Sequence, residues 1–367
     1  MIRVLALVCL VALAACAPRD RLVPVPAAAA AAAEAARERV LVATARAPDP
    51  GPGRFGAGRA EALSFAEYVI SIPPVHAPGR IEWPGARPDP ARHMLMLAET
   101  RHDMAGFARA LDAALAARQP GEREVAVFVH GFNQTFAEGL YRTAQLAHDL
   151  DLPAVALAYS WPSADNPLNY AYDRDSALAA RDGLVRTIRA AAASRAERVV
   201  VVAHSMGALL TMEALRQMAI DGRGPARGRI GAVALFSPDI DVDLFRVQAR
   251  AIVPLPQPFL IFTSRRDRAL QLSARLTGQP ARLGSLRSAE ALADLDVTLI
   301  DTTGVGGGDP LNHFTAATSP AMLSVLSNLA AYSQAFNATQ AGQQGLLPGT
   351  VTLFRNATQV VLNPLGL

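Results

Sequence analysis

The segment Arg198-Val199-Val200-Val201-Val202-Ala203-His204-Ser205-Met206-Gly207 decides the fold of this chain. Four consecutive valines favour a strand in a sheet that is buried on both faces, and residues 206–218 have a helical pattern. Ser205 therefore lies at a sharp turn between a strand and a helix, with Ala203 and Gly207 as small residues two positions away on each side. Such a turn strains the serine backbone and exposes its hydroxyl above the sheet. The segment predicts a nucleophile at Ser205; a plain serine in a strand–helix connection is the alternative.

The same alternation of short apolar runs and helical patterns extends through residues 122–336. Strands are predicted at 125–129, 154–159, 198–203, 230–236, 259–264 and 296–301. Helices are predicted at 134–149, 171–194, 206–218 and 319–335. Strands with intervening helices imply βαβ units, so we expect an α/β fold whose central, mostly parallel sheet has helices on both faces.

A glycine-containing turn follows the predicted strand at 125–129, with the sequence His130-Gly131-Phe132-Asn133. Gly131 allows the backbone to turn, so that the N–H of Phe132 points towards a substrate oxygen. The N–H of Met206, directly after the serine, supplies a second donor. We therefore predict an oxyanion hole formed by Phe132 and Met206.

Three histidines compete for the role of catalytic base. His313 is the only histidine after Ser205 and follows a predicted strand and a glycine-rich loop. A base on such a loop can reach over the serine, take its proton and pass it to a leaving alcohol. His130 and His204 are the alternatives, but His130 lies beside a turn and His204 flanks the serine and must point away from it. We predict His313 as the base.

The acid that orients the base has three candidates. Asp267 follows the predicted strand at 259–264 and precedes His313, so the chain order is Ser, acid, His. Asp239 and Asp241 follow the preceding predicted strand at 230–236 and also lie between Ser205 and His313 in the chain. We predict Asp267 and keep Asp239 and Asp241 as alternatives.

The ordered set of motifs resembles the α/β-hydrolase superfamily, and more narrowly a poorly characterised bacterial branch similar to esterases and lipases. The motifs are Val40–Arg46, Ile72-Pro73-Pro74, Phe128–Asn133, Ser160–Ser163, Ala203–Gly207, Ser237–Asp241 and Asn312-His313-Phe314. The resemblance covers residues 39–335. It implies a serine hydrolase that forms an acyl-enzyme on a carboxylic ester, with a small-molecule ester substrate and no cofactor. A non-catalytic envelope lipoprotein that binds through this fold, or an acyltransferase with the same triad, is the alternative.

Composition excludes several other chemistries. All 35 basic residues are arginine, so lysine Schiff-base chemistry is excluded, and the only cysteines are Cys9 and Cys16. The body of the chain therefore has no thiolate metal site. His93 and His102 are too few for a metal site formed by histidines, so no metal is expected. The net charge is only +3 and the arginines are scattered, which argues against a nucleic-acid partner.

The N-terminus resembles the signal peptide of a bacterial lipoprotein. Arg3 precedes a short apolar stretch and then Leu13-Ala14-Ala15-Cys16. The resemblance implies a signal peptide over residues 1–15, lipidation of Cys16 and a lipid-anchored protein of the bacterial cell envelope, in the outer membrane because Ala17 follows the cysteine. An ordinary secretory signal is the alternative.

The rest of the chain divides by composition. Residues 16–38 are rich in alanine and proline and are predicted to form a tether. The hydrolase-like domain spans 39–336, with an N-terminal extension at 39–121 and a core at 122–336, and residues 337–367 form a tail. The segment between the strands at 230–236 and 259–264 is too short for a multi-helix cap, so no large cap domain is expected.

Overall fold

The computed structural model describes residues 22–50, 54–222, 228–278, 281–306, 309–324, 326 and 349–362. The predicted signal peptide and Cys16 lie outside the described residues, as do residues 327–348, which include much of the predicted helix at 319–335 and part of the predicted tail. No helix in the described ranges is long and apolar enough to cross a bilayer.

Eleven strands in the described part of the chain form one sheet. They are β1 Ala36–Pro48, β2 Phe55–Ile72, β3 Leu95–His102, β4 Glu124–Val129, β5 Ala154–Ser160, β6 Arg198–His204, β7 Ile230–Phe236, β8 Phe259–Thr263, β9 Thr298–Asp301, β10 Gly349–Phe354 and β11 Ala357–Leu362. The helices are α1 Ala27–Ala32, α2 Met104–Ala116, α3 Phe136–Asp149, α4 Tyr170–Ala179, α5 Arg181–Ala193, α6 Met206–Ile220, α7 Val242–Ala251, α8 Arg268–Thr277 and α9 Thr315–Thr318.

The sheet is parallel in its centre and antiparallel at both edges. Its order is β10-β11-β9-β8-β7-β6-β4-β5-β1-β2-β3. All neighbours from β11 to β1 run parallel, whereas β1–β2, β2–β3 and β10–β11 are antiparallel. This arrangement is the α/β-hydrolase fold, and it confirms the predicted fold class.

The valine strand β6 lies in the middle of this sheet. Val201 lies opposite Val127 of β4 and Val233 of β7, and all three side chains are fully buried. Helices α2, α5, α6 and α7 cover one face, whereas α3 covers the other. The β7–β8 connection holds the single helix α7, so no multi-helix cap is inserted there. Parallel strands that are covered on both faces are typically apolar along their length, as the valine run of β6 is.

Both flanks of the predicted core contribute to the sheet. The extension at 39–121 forms the antiparallel edge β1–β2–β3 and α2, and β1 begins at Ala36, inside the predicted tether. Leu22 and Ala30, also in that tether, are buried. At the other edge, β11 pairs with β9, so the described end of the predicted tail continues the sheet.

One predicted helix is divided in the structure. The segment at 171–194 forms α4 and α5, which meet at Ala180. At this boundary the buried Tyr159 hydroxyl donates a hydrogen bond of 2.6 Å to the Ala180 carbonyl. The helical pattern of the sequence is continuous here, so it contains no sign of this contact.

Candidate active site

Ser205 occupies the sharp turn between β6 and α6. Its backbone has φ 53° and ψ −121°, a region that L-residues rarely adopt, and the residue is buried. The Ser205 N–H donates to the Phe236 carbonyl at 3.0 Å, and the Ser205 carbonyl accepts from Asp239 N–H at 3.1 Å. The end of β7 and the loop after it therefore hold the strained turn on both sides of the serine.

Two glycines allow the serine turn to touch the loop after β4. A Cβ atom on Gly207 would lie 2.3 Å from the His130 carbonyl oxygen, and one on Gly131 would lie 2.6 Å from His204 Nδ1. Both distances are below van der Waals contact, so only glycine fits at either position. The sequence identified Gly207 only as a small residue near the serine; the structure shows that its close neighbour is the backbone at the end of β4.

The two predicted oxyanion donors lie on these touching segments. Met206 is the first residue of α6, where the N–H has no partner within the helix. The N–H of Phe132 takes part in no hydrogen bond among the described residues. Both N–H groups are therefore free to bind an acceptor, although whether they form an oxyanion hole stays a prediction.

His130 supports the loop instead of facing the serine. Its ring stacks on Trp161 with centroids 5.0 Å apart, Nδ1 lies 2.9 Å from the Gly131 carbonyl oxygen, and Trp161 N–H donates to Nε2 at 3.1 Å. Burial, together with the nearby Arg46 guanidinium, lowers the pKa of His130 to about 3. Both ring nitrogens have backbone neighbours, so this histidine supports the loop.

Arg46 is a buried cation that sequence reasoning did not assign to the site. It donates to the Gln134 carbonyl at 2.6 Å, the Ser163 carbonyl at 3.0 Å and the Ser160 hydroxyl at 2.9 Å. Burial lowers its pKa to about 10, which leaves it charged at neutral pH. Its signal in the sequence is an arginine that ends the apolar run at 40–45. Arg46 thus fastens the end of β5 to the loop after β4.

Asp173 completes this support from α4. Its carboxylate accepts from the Ser163 hydroxyl at 2.5 Å, from Ala164 N–H at 2.7 Å and from Asn133 N–H at 3.4 Å. Burial raises the pKa of Asp173, while these hydrogen bonds oppose the shift. The helical pattern at 171–194 contained no indication that this aspartate faces inwards.

Asp267 and His313 form the clearest acid–base contact. His313 Nδ1 lies 2.8 Å from Asp267 Oδ2, and the carboxylate is fully buried. Its other oxygen accepts from Leu270 N–H at 2.9 Å, since Asp267 caps α8. Burial works to lower the pKa of His313, but the hydrogen bond and the charge of Asp267 raise it above its ordinary value. The Nδ1 contact leaves Nε2 of His313 as the nitrogen available for a proton from the serine.

The alternative acids have other partners. Asp239 forms a buried ion pair with Arg282 Nε at 2.8 Å and accepts from the hydroxyls of Tyr170 and Ser273. Asp241 caps α7 by accepting from Leu244 N–H at 2.9 Å. Neither carboxylate contacts His313 in the described hydrogen bonds.

His204 and Asp309 hold the loop that carries His313. His204 Nε2 lies 3.3 Å from the His313 carbonyl oxygen, and its ring stacks on Phe314 with centroids 3.8 Å apart. Asp309 accepts from the backbone N–H groups of His313 and Phe314 at 2.7–2.9 Å. Burial, and secondarily the His313 charge, put the pKa of His204 well below its ordinary value. The histidine beside the serine thus supports the His313 loop.

The serine and the histidine lie on touching segments without a direct bond. The rings of His313 and His204 are 4.6 Å apart, and His204 is the residue before Ser205. No hydrogen bond between the described residues joins the Ser205 hydroxyl to His313. Such bonds are often long in free enzymes and tighten when substrate binds. Of the predicted triad, the structure bonds Asp267 to His313 and places Ser205 beside them; the catalytic roles stay predictions.

Comparison with known proteins shows what this chain is similar to. Similar solved structures include an esterase from Pyrobaculum calidifontis (12% identity, 83% of this chain, 87% of that chain, TM-score 0.37). A second is a fungal esterase from Rhizomucor miehei (14% identity, 84% of this chain, 89% of that chain, TM-score 0.34). A third is a thermostable carboxylesterase from a metagenomic library (13% identity, 75% of this chain, 85% of that chain, TM-score 0.35). No curated protein sequence matches the chain. The family profile described as "Alpha/beta hydrolase of unknown function (DUF900)" matches residues 108–329, so the chain belongs to that family of α/β hydrolases.

Proposed function

We propose that the protein is a serine hydrolase that cleaves carboxylic esters of small molecules through an acyl-enzyme on Ser205. The observation that carries the proposal is the 2.8 Å bond between Asp267 and His313 beside a serine with φ 53° at the start of a helix. Family membership supports hydrolysis in general, and the ester substrate is our inference from this geometry.

In the proposed first step, Ser205 Oγ attacks the ester carbonyl carbon while its proton moves to Nε2 of His313. Asp267 holds Nδ1–H and stabilises the imidazolium that forms. The N–H groups of Phe132 and Met206 bind the negative oxygen of the tetrahedral intermediate. The C–O bond to the alcohol then breaks, and the alcohol leaves with the proton from His313.

In the second step, water replaces the alcohol. His313 takes a proton from the water as its oxygen attacks the acyl carbon, and the bond to Ser205 Oγ then breaks. The carboxylic acid leaves and the proton returns to Ser205. If an alcohol or amine took the place of water, the same residues would perform acyl transfer.

Labelling with a fluorophosphonate tests the nucleophile. We expect the wild-type chain to be labelled on Ser205, and Ser205→Ala to lose both labelling and ester turnover. Ser194→Ala is the matched control, because Ser194 caps the end of α5 and lies at the opposite end of β6 from Ser205. A wild-type chain that stays unlabelled would indicate a binding protein instead of an enzyme.

A panel of esters with different acyl lengths tests the reaction itself. We expect free carboxylic acid to be the main product, even when an alcohol or amine acceptor is added. An acylated acceptor as the main product would instead assign the chain as an acyltransferase.

We also propose that Cys16 is lipidated and that the protein is anchored in the bacterial cell envelope, in the outer membrane. The support is the sequence Leu13-Ala14-Ala15-Cys16 at the end of a short apolar stretch. These residues lie outside the part of the chain that the structure describes, and the anchor and the hydrolase activity are independent proposals.

A further inference from the structure

Four leucines around α8 are exposed to solvent. Leu272 and Leu276 lie one turn apart on α8 with 56% and 61% of their surface exposed, and Leu168 and Leu311 are 89% and 50% exposed. We name Leu168, Leu272, Leu276 and Leu311 the apolar rim. Single exposed leucines are common on protein surfaces, but a cluster of exposed leucines indicates a surface that binds a protein, a ligand or a membrane.

The apolar rim lies beside the proposed active site because Asp267 caps α8, the helix that carries Leu272 and Leu276. Leu270 N–H, on the inner face of α8, donates to Asp267. The Leu311 carbonyl accepts from Arg268 N–H at 2.9 Å, which places Leu311 at the first turn of α8. On the other side, the hydroxyl of Tyr170, two residues after Leu168, lies 3.0 Å from Ser273 Oγ.

Arginines accompany the rim without acidic partners. Arg266, Arg268 and Arg275 are exposed on or just before α8, and none forms an ion pair with another described residue. By contrast, Arg246 and Arg250 on α7 both pair with Asp294. The nearest acid in sequence, Asp267, is buried and bonded to His313. The rim therefore combines exposed apolar side chains with three arginines that form no ion pair among the described residues.

We propose that the apolar rim and these three arginines form a docking surface for anionic phospholipid membranes. Leucine side chains would enter the boundary between headgroups and acyl chains, while the guanidinium groups bind lipid phosphates. Charge complementarity selects an anionic lipid surface over a neutral one. Docking would hold the proposed active site at a membrane, and it requires neither turnover nor the lipid on Cys16.

Vesicle sedimentation tests the surface directly. The full-length chain carrying Cys16→Ser is mixed with phosphatidylcholine vesicles, either pure or containing phosphatidylglycerol, so that no lipid on that cysteine contributes. We expect binding to the phosphatidylglycerol vesicles and little to pure phosphatidylcholine. Leu272→Ser with Leu276→Ser, and separately Arg268→Gln with Arg275→Gln, should each weaken the partition coefficient by about tenfold.

The matched control is Ile220→Ser with Val253→Ser, which changes two exposed apolar residues that precede β7 and β8, at the opposite end of the strands from Ser205. This control should bind like the parent chain, and circular dichroism checks that all variants are folded. Equal binding by the rim variants and the parent, or no preference for phosphatidylglycerol, overturns the proposal. A rim-dependent dimer in sedimentation velocity, without vesicle binding, would assign the rim to a second copy instead. Because Ser205→Ala should bind vesicles normally, failure of the hydrolase proposal is distinguishable from failure of this one.

Discussion

At the scale of single residues, the choice between acids follows from which carboxylate contacts His313. Asp267→Asn keeps the shape of the side chain but holds the imidazole in the wrong tautomer, so we expect kcat to fall by about 10⁴-fold. Asp241→Asn is the matched control, because asparagine caps a helix as well as aspartate does and should leave kcat near its wild-type value. Ester turnover at saturating substrate measures both. A severe loss in Asp239→Asn or Asp241→Asn, with a mild one in Asp267→Asn, would contradict the assignment.

The charge of His313 predicts the pH dependence of turnover. Only neutral His313 can accept the serine proton, so kcat/KM should rise with pH through the His313 pKa, which Asp267 holds above its ordinary value. Removal of this carboxylate removes the cause of the upward shift. In Asp267→Asn, the acid limb of the residual activity should therefore move to lower pH. An unmoved limb would show that another group controls it.

At the scale of elements, the close contact between α6 and the end of β4 depends on glycine at position 207, which has no side chain. Gly207→Ala places a Cβ atom 2.3 Å from the His130 carbonyl, so the two segments must move apart. We expect a loss of about 1–3 kcal/mol in unfolding free energy and a large loss of turnover. Denaturant titration and ester assay measure the two effects. Gly56→Ala is the control, because its Cβ would meet the nearest atom at an ordinary 3.7 Å; equal effects of the two changes would refute this explanation.

The segment after β2 is fastened to the end of α3 by a charged histidine. His76 contacts Glu82 at 2.7 Å and Asp149 at 2.8 Å. Burial lowers its pKa, but the bonds to Asp149 and Glu82 outweigh burial and raise it to about 9. The folded pKa is above the unfolded value of about 6.5, so this stabilisation is complete below about 6.5 and is lost as pH rises through about 9.

Thermal unfolding across this pH window tests the histidine. His76→Gln should lower Tm at pH 6, and the difference from wild type should shrink as pH approaches 10. His93→Gln is the control, since His93 has no acidic partner in the described part of the chain. A difference between wild type and His76→Gln that is constant with pH would show that the charge of His76 is not responsible.

At the scale of the whole molecule, the proposed anchor separates attachment from folding. Cys16→Ser removes the only thiol at the proposed cleavage site, so we expect the chain to lose its partitioning into the detergent phase after Triton X-114 separation. The domain should keep its Tm, because its described core begins at Leu22. Ester turnover in solution is the second readout and should be unchanged. Unaltered detergent partitioning would mean that attachment depends on another part of the molecule.

Local sequence determined much of the fold. The valine run of β6 and the small residues around Ser205 specify a buried strand, a turn and a helix through their own side chains. The chain also leaves His313 as the single histidine after the serine. These features depend on residues close in sequence, whose periodicity and size are visible without coordinates.

Tertiary structure alone decided which distant polar groups meet. In the folded chain, Asp267 contacts His313 and Asp239 forms an ion pair with Arg282. The order of residues in the sequence allowed either aspartate to be the partner of His313. Tertiary structure also buried Arg46 against the loop after β4 and joined β11 to β9 across the far edge of the sheet. Hydrogen bonds and ion pairs act between groups that folding brings within about 3 Å. The two partners of such a contact lie tens of residues apart in the sequence. The periodicity of a helix or strand is a local pattern and does not indicate which distant residues meet.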